Sequence, residues 1–163
     1  MQQHRYRFEP MTADDLPLVR RWLASAHVRE WWGTPAEQLT LVTEDLDEPA
    51  MDQYIVVQDD RAFAYLQCYL QGAWPENGLG LHPVGTRGID QFIGEADMVG
   101  CGHGSAFIRM FSDRLLAAGI PRVITDPDPA NTRAVRAYEK AGFHKQHEVD
   151  TPDGRALLMV RTA

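Results

Sequence analysis

Between residues 87 and 143 the chain switches repeatedly between strand and helix periodicity, and that succession most constrains its fold. A strand-like run, RGIDQFI, comes first, with Ile89, Gln91 and Ile93 alternating with Gly88, Asp90 and Phe92. A glycine-rich turn, Val99-Gly100-Cys101-Gly102-His103-Gly104-Ser105, opens a helix in which Phe107, Phe111 and Leu115 recur every four residues and which stops at Gly119. Residues 122–125 form a short strand before Asp126-Pro127-Asp128-Pro129. Asn131 then caps a helix whose Ala134, Tyr138 and Ala141 face one way, while Arg133, Arg136 and Lys140 form a basic stripe. Gly142 stands where a left-handed C-cap is wanted, with Phe143 as its apolar contact. Strands and helices mixed in this way point to an α/β (α+β) chain.

At 163 residues the chain fits a single domain, 1–163, with room for a sizeable core. Its N-terminus lacks an apolar signal region, and no stretch nears the roughly 18 apolar residues of a spanning helix. A cytoplasmic location with no membrane partner is therefore expected. Cys68 and Cys101 form neither a metal spacing nor a disulfide framework. The net charge of −7 argues against nucleic acid and fits either a solubilising surface or a cationic partner.

Ahead of the central stretch, residues 6–11 read as a strand. Thr12, followed by Asp14, Asp15 and Pro17, marks a helix start, with Leu16, Val19 and Leu23 inward and Trp22 beside them. A short helix through His27 ends at Gly33. Trp31 and Trp32 lie about 100° apart on it, so they cannot both face one core, and one of them lines a cleft or caps the core rim. The acidic run 43–52 reads as a short helix or a solvated face. Residues 53–58 and 62–71 form a hairpin across Asp59-Asp60-Arg61, and Tyr65, Gln67 and Tyr69 share one face of its second strand, a pocket wall. Residues 72–85 form a loop in which nothing fixes a conformation, a candidate lid. Residues 143–150 and 156–162 are the last strands. His144 and His147, three apart on a strand, should point to opposite faces and share no metal.

Asp90 is costly to bury in a strand without a purpose, which makes it a candidate base or cation ligand, or else a structural acid paired with Arg87 or accepting backbone N–H bonds. The glycine turn is a pyrophosphate cradle or a tight connection. It lacks the lysine of a Walker loop, and its G-x-G-x-G spacing departs from the dinucleotide fingerprint.

Two motifs resemble the GNAT acetyltransferase superfamily. The acetyl-CoA turn R/Q-x-x-G-x-G/A is matched by Val99, Gly102 and Gly104, with Val99 in place of the usual Arg or Gln. The motif N-x-x-A-x-x-x-Y-x-x-x-G-F is matched from Asn131 through Ala134 and Tyr138 to Gly142 and Phe143. Glu30-Trp31-Trp32-Gly33, Arg87-Gly88-Ile89-Asp90-Gln91, Thr125-Asp126-Pro127 and Tyr138-Glu139-Lys140-Ala141-Gly142-Phe143 further resemble the bacterial aminoglycoside 6'-N-acetyltransferases. In place of those enzymes' acid- and tryptophan-rich segment before R-G-I-D-Q stands Trp74-Pro75-Glu76-Asn77-Gly78-Leu79-Gly80-Leu81.

The resemblance implies the GNAT fold, a mixed, mostly antiparallel V-shaped sheet of about six to seven strands flanked by helices and splayed between the strand of Asp90 and that of 122–125. It implies acetyl-CoA as co-substrate, held by Gln91, Phe92, Ile93, Val99, Gly100, Cys101, Gly102, His103, Gly104, Ser105, Asn131 and Arg136, with no metal. Asp90 would be the base and Tyr138 the acid near the thioester sulfur, while Trp32, Gln67, Asp90 and Asp126 line the acceptor pocket. The expected partner is a cationic small-molecule amine, taken by direct transfer, and the expected state a monomer or homodimer. Transfer to a polyamine or a siderophore hydroxylamine precursor, or acyl-CoA sensing without turnover, are the other readings.

Overall fold

The structure, a computed structural model, describes residues 6–163. Its strands are β1 (Tyr6–Pro10), β2 (Met51–Gln58), β3 (Arg61–Leu70), β4 (Arg87–Ile93), β5 (Val123–Thr125), β6 (His144–Thr151) and β7 (Gly154–Arg161). They form a seven-stranded sheet of order β1-β2-β3-β4-β5-β7-β6. β4 and β5 run parallel, whereas β1 with β2, β5 with β7 and β6 with β7 are antiparallel. The sheet is thus mixed, mostly antiparallel and flanked by helices. The chain divides into two compact units, one made of the chain up to Cys68 with Gln91–Val99, the other of Tyr69–Asp90 with Gly100–Ala163.

The first unit carries α1 (Leu16–Leu23), α2 (Ala26–Trp32) and α3 (Pro35–Asp45). Thr12 opens it with a capping box, its hydroxyl accepting from Asp14 N–H while the Asp15 carboxylate accepts from Thr12 N–H. A 3-10 turn, Ala13–Asp15, precedes α1, so Pro17 falls in its first turn, where no N–H is missed. The acidic run does not form a helix of its own. α3 starts at Pro35, whose fixed φ suits a first helical position, and ends inside the run once Leu39 and Val42 have reached the core. The β2–β3 hairpin turns on Asp59 and Asp60 at φ 44° and 71°, the left-handed pair that a two-residue turn needs. β3 is covered on both faces: Phe63, Ala64, Tyr65 and Leu66 are all buried.

In the second unit, α4 (His103–Ala117) and α5 (Thr132–Lys140) end alike. After α5, Gly142 N–H donates to Glu139 C=O and Phe143 N–H to Tyr138 C=O, with Gly142 at φ 101°. This is the Schellman closure the sequence predicts, and Phe143 packs edge-on to Tyr138 at 5.5 Å. Two expectations fail here. Loop 72–85 is anchored: Gln71 and Asn77 exchange side-chain amide bonds, Leu79 is buried with Ile124 and Leu158, and His82 donates from Nε2 to Leu79 C=O while Nδ1 accepts from Arg122. Much of its length is still exposed, Leu81 and Val84 fully so. The histidine argument also changes, because a bulge between Lys145 and His147 sets His144 opposite Val160 and His147 opposite Leu158, on one face. Among the described residues no group of three or more His, Cys, Asp or Glu is placed to hold a metal. No helix is long and apolar enough to cross a membrane.

Candidate functional site

In the second unit, β4 and β5 pair only at Arg87 with Val123 and Gly88 with Ile124. Beyond that, the Thr125 hydroxyl donates to Ile89 C=O at 2.9 Å, a side chain where the next rung would lie. Asp126 follows directly. Pro127 has no N–H to offer, and its carbonyl accepts from Leu157 N–H at 2.8 Å, so Asp126 sits between a strand end and a tied turn.

Asp126 is hydrogen-bonded to Asp90, and its carboxyl is pushed up to about 8. Burial is the main cause, then the charge of Asp90 and the bond to it, then the charge of Asp153. At neutral pH the pair therefore holds a proton between its two carboxyls. The Tyr69 ring lies against Gly88, where a Cβ would fall 2.1 Å from Cζ. Gly88 and Asp90 share a face of β4, so only glycine admits the ring beside the acid. Trp74 meets Tyr69 edge-on at 5.8 Å. Asp153 and the Tyr69–Gly88 contact escaped the sequence reading. An acid in a tight turn reads as turn chemistry, and a strand glycine gives no clue to its neighbour.

Gly100 and Gly102 have φ 75° and 85°, and a Cβ on either would meet nothing within 4 Å. Glycine serves handedness here and leaves the turn open. Gly102 is the N-cap of α4 and brings no capping side chain, so the first-turn N–H groups of His103, Gly104 and Ser105 lie outside the helical ladder, in the geometry that receives anions. Cys101 is exposed. On α5, Asn131 Oδ1 accepts from Ala134 N–H at 3.2 Å, the predicted cap. Tyr138 is buried, while Arg133, Arg136 and Lys140 face solvent as a stripe.

The first unit holds Trp32 and Gln67. Trp32 packs edge-on to Phe92 at 5.0 Å and to Tyr65 at 6.1 Å, and Trp31 is 40% exposed, so the adjacent tryptophans do part company. Tyr65 OH accepts from Gln53 and donates to Gln67 Oε1 at 2.8 Å, which fixes the orientation of the Gln67 amide. The Phe92 side chain is buried in this aromatic cluster, while Gln91 and Ile93 on either side of it are half-buried.

The chain resembles known proteins over nearly its whole length. A family model described as acetyltransferase (GNAT) domain matches residues 11–151. The aminoglycoside N(6')-acetyltransferase type 1 of Klebsiella pneumoniae is 36% identical, covering 93% of this chain and 80% of that protein, and the Serratia marcescens enzyme of the same name gives the same values. The solved structure of AAC(6')-Ib with coenzyme A and kanamycin superposes with a TM-score of 0.86 at 34% identity, covering 97% of this chain and 95% of that one. AAC(6')-Ib with Parmomycin and AcetylCoA gives 0.85 at 34%, covering 96% and 93%. An acid pair, an open glycine turn at a helix start and a capped helix with a basic stripe thus stand on a matching sheet, and the chain belongs to the GNAT acetyltransferase domain family.

Proposed function

We propose that this chain is a single GNAT domain, 1–163, that moves the acetyl group of acetyl-CoA to a primary amine of a cationic small molecule, the 6'-amine of an aminoglycoside, by direct transfer in a ternary complex. It works in the cytoplasm as a monomer or homodimer, with no metal and no nucleic-acid or membrane partner. The names and bound ligands of its relatives support the acceptor class.

The observation that carries the reading is the Asp90–Asp126 pair. A lone aspartate, near 4, is a poor base for an ammonium, whose pKa lies several units higher. A pair that holds a proton up to about 8 closes most of that gap. Arrival of a cationic amine expels the shared proton to solvent. Asp90 then takes the proton from the ammonium, with Asp126 sharing it. The freed nitrogen attacks the thioester carbonyl, which the backbone N–H groups of 91–93 polarise. Tyr138 protonates the sulfur as the C–S bond breaks, and the second proton shed by the new amide nitrogen restores the tyrosine hydroxyl. The open turn, Val99, Gly100, Cys101, Gly102, His103, Gly104 and Ser105, with Asn131 and Arg136, would hold the co-substrate's phosphates, its fit resting on backbone N–H groups and basic side chains.

A thiol-release assay with acetyl-CoA across kanamycin, polyamines and hydroxylated amino acids tests this. Turnover with kanamycin is expected. Turnover only with the others, or binding of acetyl-CoA with no thiol released, would overturn the acceptor or the activity respectively.

A further inference from the structure

Residues 93–99 join the β4 edge to the glycine turn, and side chains of the first unit grip this segment. His27 Nε2 lies 2.8 Å from Ile93 C=O; a carbonyl only accepts, so Nε2 carries the hydrogen. The other end of the same peptide plane, Gly94 N–H, donates to Phe63 C=O at 2.7 Å, and Glu95 N–H donates to that oxygen at 3.2 Å. The Ile93–Gly94 peptide is therefore pinned at both polar ends. Trp22 lies over Gly94, where a Cβ would fall 2.1 Å from the indole. Its indole N–H donates to the Glu95 carboxylate, which also takes Arg21 at 2.9 Å and Arg61 at 3.4 Å. Arg61 reaches on to Asp97 with both terminal nitrogens, at 2.9 and 2.8 Å.

Within the first unit, α1, α2 and β3 all send bonds to one short stretch of main chain, the stretch that follows β4. We propose that His27 and Glu95 are positioning residues for acetyl transfer: they lock the Ile93–Gly94 peptide plane and the turn after it, and so hold the β4 backbone edge at the angle the thioester needs. This rests on the acetyltransferase reading. Preorganised backbone donors work only when their direction is fixed, and small misplacement is expensive.

The test compares His27→Ala with His27→Gln and Glu95→Ala with Glu95→Gln, measuring kcat, KM for each substrate, the dissociation constant of CoA, and the folded fraction by circular dichroism. His27→Ala should lower kcat and weaken CoA about tenfold each, with KM for kanamycin within about twofold. His27→Gln, whose amide can donate to Ile93 C=O, should recover most of the loss. Glu95→Gln, which keeps an acceptor for Trp22, should lose less than Glu95→Ala. If Glu95→Ala fails to fold, the His27 pair decides. Unchanged kcat and CoA affinity in His27→Ala, or a loss that follows only the folded fraction and is not recovered by Gln, would overturn the proposal. Failure of the unsubstituted enzyme on kanamycin would sink the acceptor reading alone, and the CoA dissociation constants would still decide the clamp.

Discussion

Glu95 in the first unit and Asp126 in the second are both partly buried acids just beyond a strand end, yet they are held in opposite states of charge. The Trp22 indole bond, with Arg21 and Arg61, holds the Glu95 carboxyl below its ordinary range. Asp126 is pushed up to about 8, first by burial and then by the acids beside it. A carboxylate surrounded by donors has no use for a proton and serves as an anchor. A carboxyl that is buried and faces Asp90 and Asp153 keeps its proton at neutral pH. The environment, more than the residue type, separates architecture from chemistry.

The sharpest way to break this contrast is Asp90→Asn, which removes the accepting carboxylate. It should lower kcat/KM about 10³-fold with little loss of fold, and full activity across the pH range would refute the base assignment. Tyr138→Phe comes next, with a fall in kcat of about 10²-fold under steady-state conditions. Unchanged turnover would remove the acid role.

Asp126→Asn should cost less activity, about tenfold, and its more telling effect is on stability. The folded protein keeps a proton on Asp126 that the unfolded chain releases above about pH 4, so stability falls as pH rises from about 4 to about 8. Asparagine removes that penalty. The difference in Tm, variant minus unsubstituted, should therefore grow between pH 4 and pH 8 and level off above; a constant difference would show that Asp126 is not raised. Asp153→Asn should move this window down slightly, as the weakest of the causes.

What could be read from the sequence was whatever local residue chemistry specifies. Thr12 with Asp15, Asp59-Asp60, Asn131 and Gly142 each set a cap or turn within a few residues, and each forms where its side chain or φ requires. Asp90 stood out because an acid in a strand is costly. α3 was hidden because its helical signal lies in Leu39 and Val42 and not in the acids that follow. The bulge beyond Lys145 leaves no mark in composition, yet it reverses the facing of His147. The clamp was illegible for another reason. Trp22 and Glu95 stand 73 residues apart, and no periodicity connects them.

Isotope-edited NMR of 13C-carboxyl aspartate in the ligand-free protein tests the central claim most directly. The account predicts one aspartate carboxyl titrating near pH 8, absent in Asp126→Asn and ionised at pH 7 once kanamycin is bound. Every aspartate titrating below about 6 would contradict it.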